Sequence, residues 1–251
     1  MAELAAPIFE IFSGIQGEGL LVGTRQVFVR FCGCNRRCAY CDTREALAPS
    51  ETCAIELSPG SREFRWQRNP LSVGDVATAV SALESFHGLH HSVSLTGGEP
   101  LLHADFIAAL APVLARQALP VYLETNGTLP DALERVIEGV HHVAMDIKLE
   151  SATAEPTPWD DHRRFLQIAS TRSVQVKVVV GTVATEEELQ RVSDLVASVA
   201  PATPVVLQPV TAAQGVGTPA PARVLHFQEI VKRRLANVWV IPQVHKLMGQ
   251  K

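Results

Sequence analysis

The sequence predicts an α/β protein built from parallel βαβ units. Two observations carry that expectation. First, short apolar and β-branched runs recur along the chain: QVFVRF at 26–31, SVSL at 92–95, VYLE at 121–124, HVAMDI at 142–147, VQVKVVV at 174–180, PVVL at 204–207 and NVWVI at 237–241. Runs of this length and composition read as strands. Second, longer stretches with helical patterning lie between them. Strands alternating with helices give parallel sheets with right-handed crossovers, and ligand sites in such folds lie at the carboxyl ends of the strands.

The helices are expected over 73–86, 104–117, 131–138, 160–169, 186–199 and 222–235. Ser72 and Thr185 stand where N-caps belong, and Glu186, Glu187 and Glu188 suit the positive end of a helix. Pro130 suits a first helical turn. His103 is placed to cap the helix that follows it. Arg44–Leu71, with Pro49, Pro59, Gly60 and Pro70, interrupts the alternation and reads as an insertion with one hairpin around 58–60. Residues 150–159 (ESATAEPTPW) read as a surface loop. His87, His90, His91, His141 and His142 read as surface or strand-end residues. No repeat or clear linker divides the chain, so one domain is expected over 1–251.

Of the 251 residues, 47% are hydrophobic and 19% charged, enough apolar content for a sizeable core. The net charge of −4 gives no basic field to attract nucleic acid or an anionic membrane. Apolar runs fall far short of the roughly 20 residues that cross a bilayer. The first residues carry an early glutamate and no basic region typical of a signal peptide, which points to a cytoplasmic protein. In that setting the five cysteines are ligands or free thiols rather than a disulfide framework.

Cys34, Cys38 and Cys41 form C-x3-C-x2-C. Three thiolates from one loop can face one metal centre, and Arg36 and Arg37 would favour their ionised form. Structural zinc normally takes four protein ligands, and a second C-x2-C pair is missing. On the cysteines alone, zinc and an iron–sulfur cluster stay even. Thr96-Gly97-Gly98-Glu99-Pro100 then follows the strand SVSL. Its glycines allow close approach of backbone to ligand, and its carboxylate can accept from an amine. The two motifs together, with Tyr40 before the last cysteine, resemble the radical S-adenosylmethionine superfamily. That resemblance implies a truncated, partly open (β/α) barrel. It also implies a [4Fe–4S] cluster on Cys34, Cys38 and Cys41 whose open iron chelates S-adenosylmethionine.

Further segments narrow the resemblance: Glu10-Ile11-Phe12, Gln16-Gly17-Glu18-Gly19, Gly23, Phe28-Val29-Arg30-Phe31, Cys41-Asp42-Thr43, Glu124-Thr125-Asn126-Gly127 and Gln243-Val244-His245-Lys246. From about residue 9 onward, this series resembles the 7-carboxy-7-deazaguanine synthase family of queuosine biosynthesis. The family contracts a ring of 6-carboxy-5,6,7,8-tetrahydropterin with loss of ammonia, using a 5′-deoxyadenosyl radical and supported by Mg2+. The resemblance implies substrate contacts from Ile15, Gln16, Gly17, Glu18, Arg30, Thr96, His245 and the terminal carboxylate of Lys251. It implies S-adenosylmethionine contacts from Tyr40, Gly98, Glu99, Asn126, Asp146, Ile147, Lys148, Gln208, Pro209, Val210 and Thr211, and Mg2+ on Thr43. Asp146-Ile147-Lys148 departs from the family's Ser-Pro-Lys, setting a charge where a hydroxyl is usual. Lys177, inside VQVKVVV, can point into the barrel or outward. The implied partners are an electron donor such as flavodoxin or ferredoxin and a second copy in a homodimer. A glycyl-radical activase and a zinc-binding interaction module are the rival readings, disfavoured by Gln16–Gly19 and by the missing second cysteine pair.

Overall fold

Period-two alternation sorts the strand residues onto two faces. In the computed structural model, which describes residues 4–211 and 216–250, the chain opens with β1 (Ala5–Ala6), β2 (Ile8–Ile15) and β3 (Arg25–Phe31). The paired strands β4 (Thr52–Glu56) and β5 (Phe64–Arg68) follow, then the two-residue β6 (Leu71–Ser72). Next come α1 (Val73–Leu83), β7 (Ser92–Gly97), α2 (Ala104–Arg116), β8 (Val121–Thr125), α3 (Pro130–Val136) and β9 (His142–Asp146). The remainder is α4 (Glu150–Thr153), α5 (Trp159–Ala169), β10 (Ser173–Val180), α6 (Glu186–Val199), β11 (Val205–Pro209), α7 (Pro221–Lys232), β12 (Val238–Val240) and α8 (Val244–Leu247).

Ten strands form one sheet in the order β12-β11-β10-β9-β8-β7-β3-β2-β4-β5. From β3 through β12 each neighbour pair is parallel. The sheet ends on β12 and β5 instead of closing, so the barrel is a partial one. Val27, Val29 and Phe31 of β3, Val93 and Leu95 of β7, and Val143 and Met145 of β9 are fully buried in the main core. Burying such a side chain contributes about 1.5–3 kcal/mol. The alternate positions, Arg30, Thr96, Glu124, Asp146 and Lys177 among them, line a cavity on the concave face.

Local signals act as read. Ser72 with Asp75 and Thr185 with Glu188 each form a reciprocal capping box, and Pro130 opens α3. Other readings need correction. His103 makes no cap: its Nε2 donates to the Cys32 carbonyl at 3.0 Å, and its ring stacks on Phe31. His90 is buried rather than superficial, set 2.5 Å from a Glu84 carboxylate oxygen and 2.8 Å from Ser13 Oγ. Residues 150–153 form one helical turn. The 44–71 segment contains the expected hairpin, with Ser61 N–H donating to Ser58 O across its turn. It extends the main sheet, because β4 pairs parallel with β2. Strand β2 escaped the alternation argument because it runs antiparallel to β3, outside any βαβ unit.

Candidate active site

The cysteine loop leaves the carboxyl end of β3 and is stitched to the end of β7. Gly98 N–H donates to Phe31 O at 3.0 Å and Glu99 N–H to Gly33 O at 2.8 Å. A Cβ on Gly98 would lie 1.8 Å from Gly33 O, so only glycine lets the two backbones meet. Cys34, Cys38 and Cys41 all line one cavity of about 570 Å³. The Arg36 backbone N–H donates to Cys34 Sγ at 3.4 Å, and Asn126 Nδ2 lies 3.9 Å from the same sulfur. The arginine guanidinium groups act elsewhere: Arg36 pairs with Glu155, and Arg37 donates to the carbonyls of Cys34 and Arg36. Burial pushes the Cys34 and Cys38 thiols up. At Cys34 and Cys38 burial outweighs the opposing pull of the Lys148 charge and, at Cys34, of the Arg36 backbone N–H, so a metal would have to drive the deprotonation. Cys32 and Cys53 are 1% and 0% exposed in the core and do not line the cavity.

Next to the cysteines, Tyr40, Gly98, Asn126, Asp146 and Lys148 line the same cavity. Lys148 Nζ donates to Tyr40 OH at 2.9 Å and to Asp146 Oδ2 at 2.6 Å. Burial opposes the Lys148 charge, but Asp146, together with Tyr40 and Cys38, outweighs it and raises its pKa. Asp146 Oδ1 is buried with no partner among the described residues. Glu99 does not line the cavity. Its carboxylate, 0% exposed, accepts from Leu101 N, Thr125 Oγ1 and Asn126 N at 2.8–3.1 Å. Burial pushes it up to about 7 against those donors. Ile147 is in the core, and Gln208, Pro209, Val210 and Thr211 also lie off the cavity wall.

The far side of the cavity is built around Gln16 and Glu18. Ile15, Gln16, Gly17, Glu18, Arg30, Thr96 and His245 all line it. Gln16 Nε2 donates to Gln26 Oε1 at 2.9 Å and Glu124 Oε1 at 2.8 Å, and Ser94 Oγ also donates to Glu124 Oε1. Arg30 Nε donates to the Glu10 carboxylate at 2.9 Å, and its Nη1 reaches Thr43 Oγ1 at 3.3 Å. Gln243 Nε2 bridges Glu18 and Asp42 at 2.8 and 3.1 Å. The segment carrying Gln243 and His245 is anchored by Val244 N–H on Gly17 O at 2.9 Å. Lys251 lies outside the described residues.

Lys177 points inward and joins the two halves. Its Nζ sits 2.5 Å from Glu18 Oε2 and 3.5 Å from Asp146 Oδ2. Burial would raise the Glu18 carboxyl, but Lys177, helped by Gln243, holds it down at about 2. A run of alternating charge, Glu18, Lys177, Asp146 and Lys148, thus crosses the cavity floor. Glu124, Lys177 and Gln243 join the site without being among the expected contacts. For Glu124 and Lys177 the sequence carries a signal, a charge inside an otherwise apolar strand (VYLE, VQVKVVV).

The residues present fit the expected groups. Three sulfurs converge on one cavity, two N–H donors face Cys34 Sγ, and an orphaned carboxylate oxygen at Asp146 lies beside them. Among the described residues, Glu18, Asp42 and His245 bring one donor atom each within 4.8 Å of one another. Lys177 and Lys246 already face those two carboxylates. Thr43 Oγ1 stands 3.2 Å from Asp42 Oδ1.

Residues 28–195 match the Radical SAM superfamily. The chain is 47% identical to 7-carboxy-7-deazaguanine synthase of Geobacter sulfurreducens across the whole of both chains. It is 36% identical to the enzyme of that name from Methanothermobacter thermautotrophicus, covering 99% of each. Among solved structures, the fold is similar to QueE from Escherichia coli, with TM-score 0.63 and 21% identity over 96% of this chain and 95% of that one. It is also similar to a radical SAM methyltransferase from Sphaerobacter thermophilus, with TM-score 0.61 and 16% identity over 86% of this chain and 66% of that one. Full-length identity at this level, joined to three cysteines and a glycine-stitched strand end around one cavity, settles the relationship: the chain belongs to the radical S-adenosylmethionine superfamily and, within it, to the 7-carboxy-7-deazaguanine synthase family.

Proposed function

We propose that this chain converts 6-carboxy-5,6,7,8-tetrahydropterin to 7-carboxy-7-deazaguanine with loss of ammonia. The observation that carries the reading is the two-ended cavity: three cysteines at one end, and a polar wall of Gln16, Glu18, Glu124 and Arg30 at the other. Cys34, Cys38 and Cys41 would hold a [4Fe–4S] cluster, with Asn126, Asp146, Lys148 and Tyr40 toward S-adenosylmethionine. When bound, these groups supply a radical that removes and returns one hydrogen. The chain's own residues do the rest. Glu18 and Glu124 accept from pterin N–H groups, and Gln16 fixes the orientation of Glu124. The Arg30 guanidinium, oriented by Glu10, offers charge-assisted donors to the substrate carboxylate. Asp146 Oδ1, buried without a partner, suits a ribose hydroxyl, so the departure from serine keeps an acceptor at that point. Glu99 acts from behind the wall, fixing the Asn126 backbone. Thr43 and Asp42 supply oxygen ligands of the kind Mg2+ prefers. The same reading takes a flavodoxin or ferredoxin as reductant, a homodimer as the working unit and the cytoplasm as its setting.

Anaerobic reconstitution followed by turnover with the carboxypterin tests the reading. Formation of 7-carboxy-7-deazaguanine supports it. A colourless, zinc-loaded protein, or an iron-loaded one that cleaves S-adenosylmethionine but leaves the carboxypterin intact, rejects it.

A further inference from the structure

We infer that His162 is a positioning residue that braces the two loops on the S-adenosylmethionine side of the cavity, an inference that rests on the site reading above. His162 lies on α5, is 0% exposed and does not line the cavity. Its Nδ1 is 2.9 Å from Gly127 O, and its Nε2 is 3.2 Å from Lys148 N. A carbonyl can only accept and an amide N–H can only donate. The two contacts therefore demand one neutral tautomer, with the proton on Nδ1 and the lone pair on Nε2. Burial keeps the ring neutral, lowering its pKa to about 4.

One ring thereby ties the loop after β8 to the loop after β9. Each loop presents a cavity-lining side chain next to the tie. Asn126 precedes Gly127 and donates to Asn35 Oδ1 at 2.8 Å in the cysteine loop. Lys148 reaches Tyr40 OH in the same loop. Gly127 has φ +67, and a Cβ there would lie 2.9 Å from Met145 Cγ and 3.1 Å from His162 Nδ1. The glycine, the left-handed turn and the buried imidazole thus form one unit that aims Gly127 O at the ring. The brace touches neither Gln16, Glu18 nor Arg30, so its effect should be confined to one end of the cavity.

The test uses the anaerobically reconstituted full chain. Three things are measured for wild type, His162→Phe and His162→Asn. These are the affinities for S-adenosylmethionine and for the carboxypterin, the S-adenosylmethionine concentration that changes the reduced cluster's electron paramagnetic resonance signal, and hydrogen–deuterium exchange over 146–149. His162→Phe removes both hydrogen bonds while keeping a flat ring at the site. It should weaken S-adenosylmethionine binding roughly 30-fold, as expected for two buried hydrogen bonds. It should also speed exchange at 146–149 while keeping its iron and its carboxypterin affinity. His162→Asn, which retains a donor near Nδ1, should recover part of the loss. Unchanged S-adenosylmethionine affinity in His162→Phe would overturn the inference. So would loss of both ligands in equal proportion, since that is what general unfolding produces. If His162→Phe fails to fold, His162→Asn decides by the same measures. A wild type that loads iron yet ignores S-adenosylmethionine would overturn the site reading instead. The exchange rates at 146–149 would then still support the brace if they rise, and reject it if they do not.

Discussion

Replacing Lys177 by methionine tests the charge run across the cavity floor. The substitution keeps an unbranched chain of similar length but removes the ammonium 2.5 Å from Glu18 and 3.5 Å from Asp146. The Glu18 carboxyl sits at about 2, against an ordinary 4.5. At about 1.4 kcal/mol per pH unit, this depression corresponds to about 3 kcal/mol of stability at neutral pH. Gln243 retains its hydrogen bond to Glu18, and Lys148 its contact with Asp146, so the expected loss is about 2–3 kcal/mol. This lies at the lower edge of the cost of breaking a buried ion pair. Burial of Glu18 would then go unopposed by the ammonium and raise its carboxyl. The penalty should be largest near pH 7.5 and shrink toward pH 5.5, where Glu18 can take up a proton. Glu18→Gln combined with Lys177→Met should recover most of the loss, because no uncompensated carboxylate remains at 18. Anaerobic urea unfolding of the four-member mutant cycle at both pH values measures this. A single variant within about 0.5 kcal/mol of wild type at pH 7.5 refutes the reasoning. So does a double variant as unstable as the sum of the singles.

Three further predictions follow from the same geometry. Alanine at Cys34, Cys38 or Cys41 should abolish iron loading and turnover, whereas Cys53→Ala should keep the cluster, as iron analysis would show. Arg30→Ala should weaken carboxypterin binding by roughly 1.5–3 kcal/mol, with far less change for S-adenosylmethionine. It should also lower stability, because the buried Glu10 loses its guanidinium, and equal weakening of both ligands would mark Arg30 as structural. Burial lowers His162 to about 4 from 6.5, so the unfolded chain protonates first on acidification. The stability His162 contributes is complete above pH 6.5 and is lost as pH falls toward 4, by on the order of 3 kcal/mol at most. Glu99, pushed up to about 7 by burial, acts in the opposite sense between 4.5 and 7. The decisive comparison is therefore the slope of unfolding free energy against pH between 4 and 6.5, which should be less positive in His162→Phe than in wild type, because the variant keeps the opposing slope of Glu99 without that of His162.

The sequence by itself determined the features whose causes are local. Val27, Val29 and Phe31 alternate within six residues, the Ser72 and Thr185 caps close on residues three positions away, and Pro130 needs no tertiary partner to start a helix. Cys34, Cys38 and Cys41 share one loop, and Gly98 has its partner backbone at the end of a neighbouring strand, so that pair of motifs already pointed to the family. Tertiary structure decided what depends on strand register and on contacts between distant segments. Lys177 could have pointed either way until its alignment beside Asp146 in the parallel ladder turned it inward. Glu99 carries a motif glutamate's identity, yet the close approach of β8 occupies its carboxylate with Thr125 and Asn126. Gln208 and Pro209 end β11, and Val210 just beyond it packs with Val179 against Tyr40 of the cysteine loop, so the segment reaches that loop through its apolar side while none of residues 208–211 lines the cavity. His162 reads locally as one polar residue on an amphipathic helix. It becomes a brace only when α5 packs over the ends of β8 and β9 and brings Gly127 O and Lys148 N within reach of one ring. The reason is common to all four: a side chain's chemistry is written at its own position, but its partners are set by which strands lie side by side.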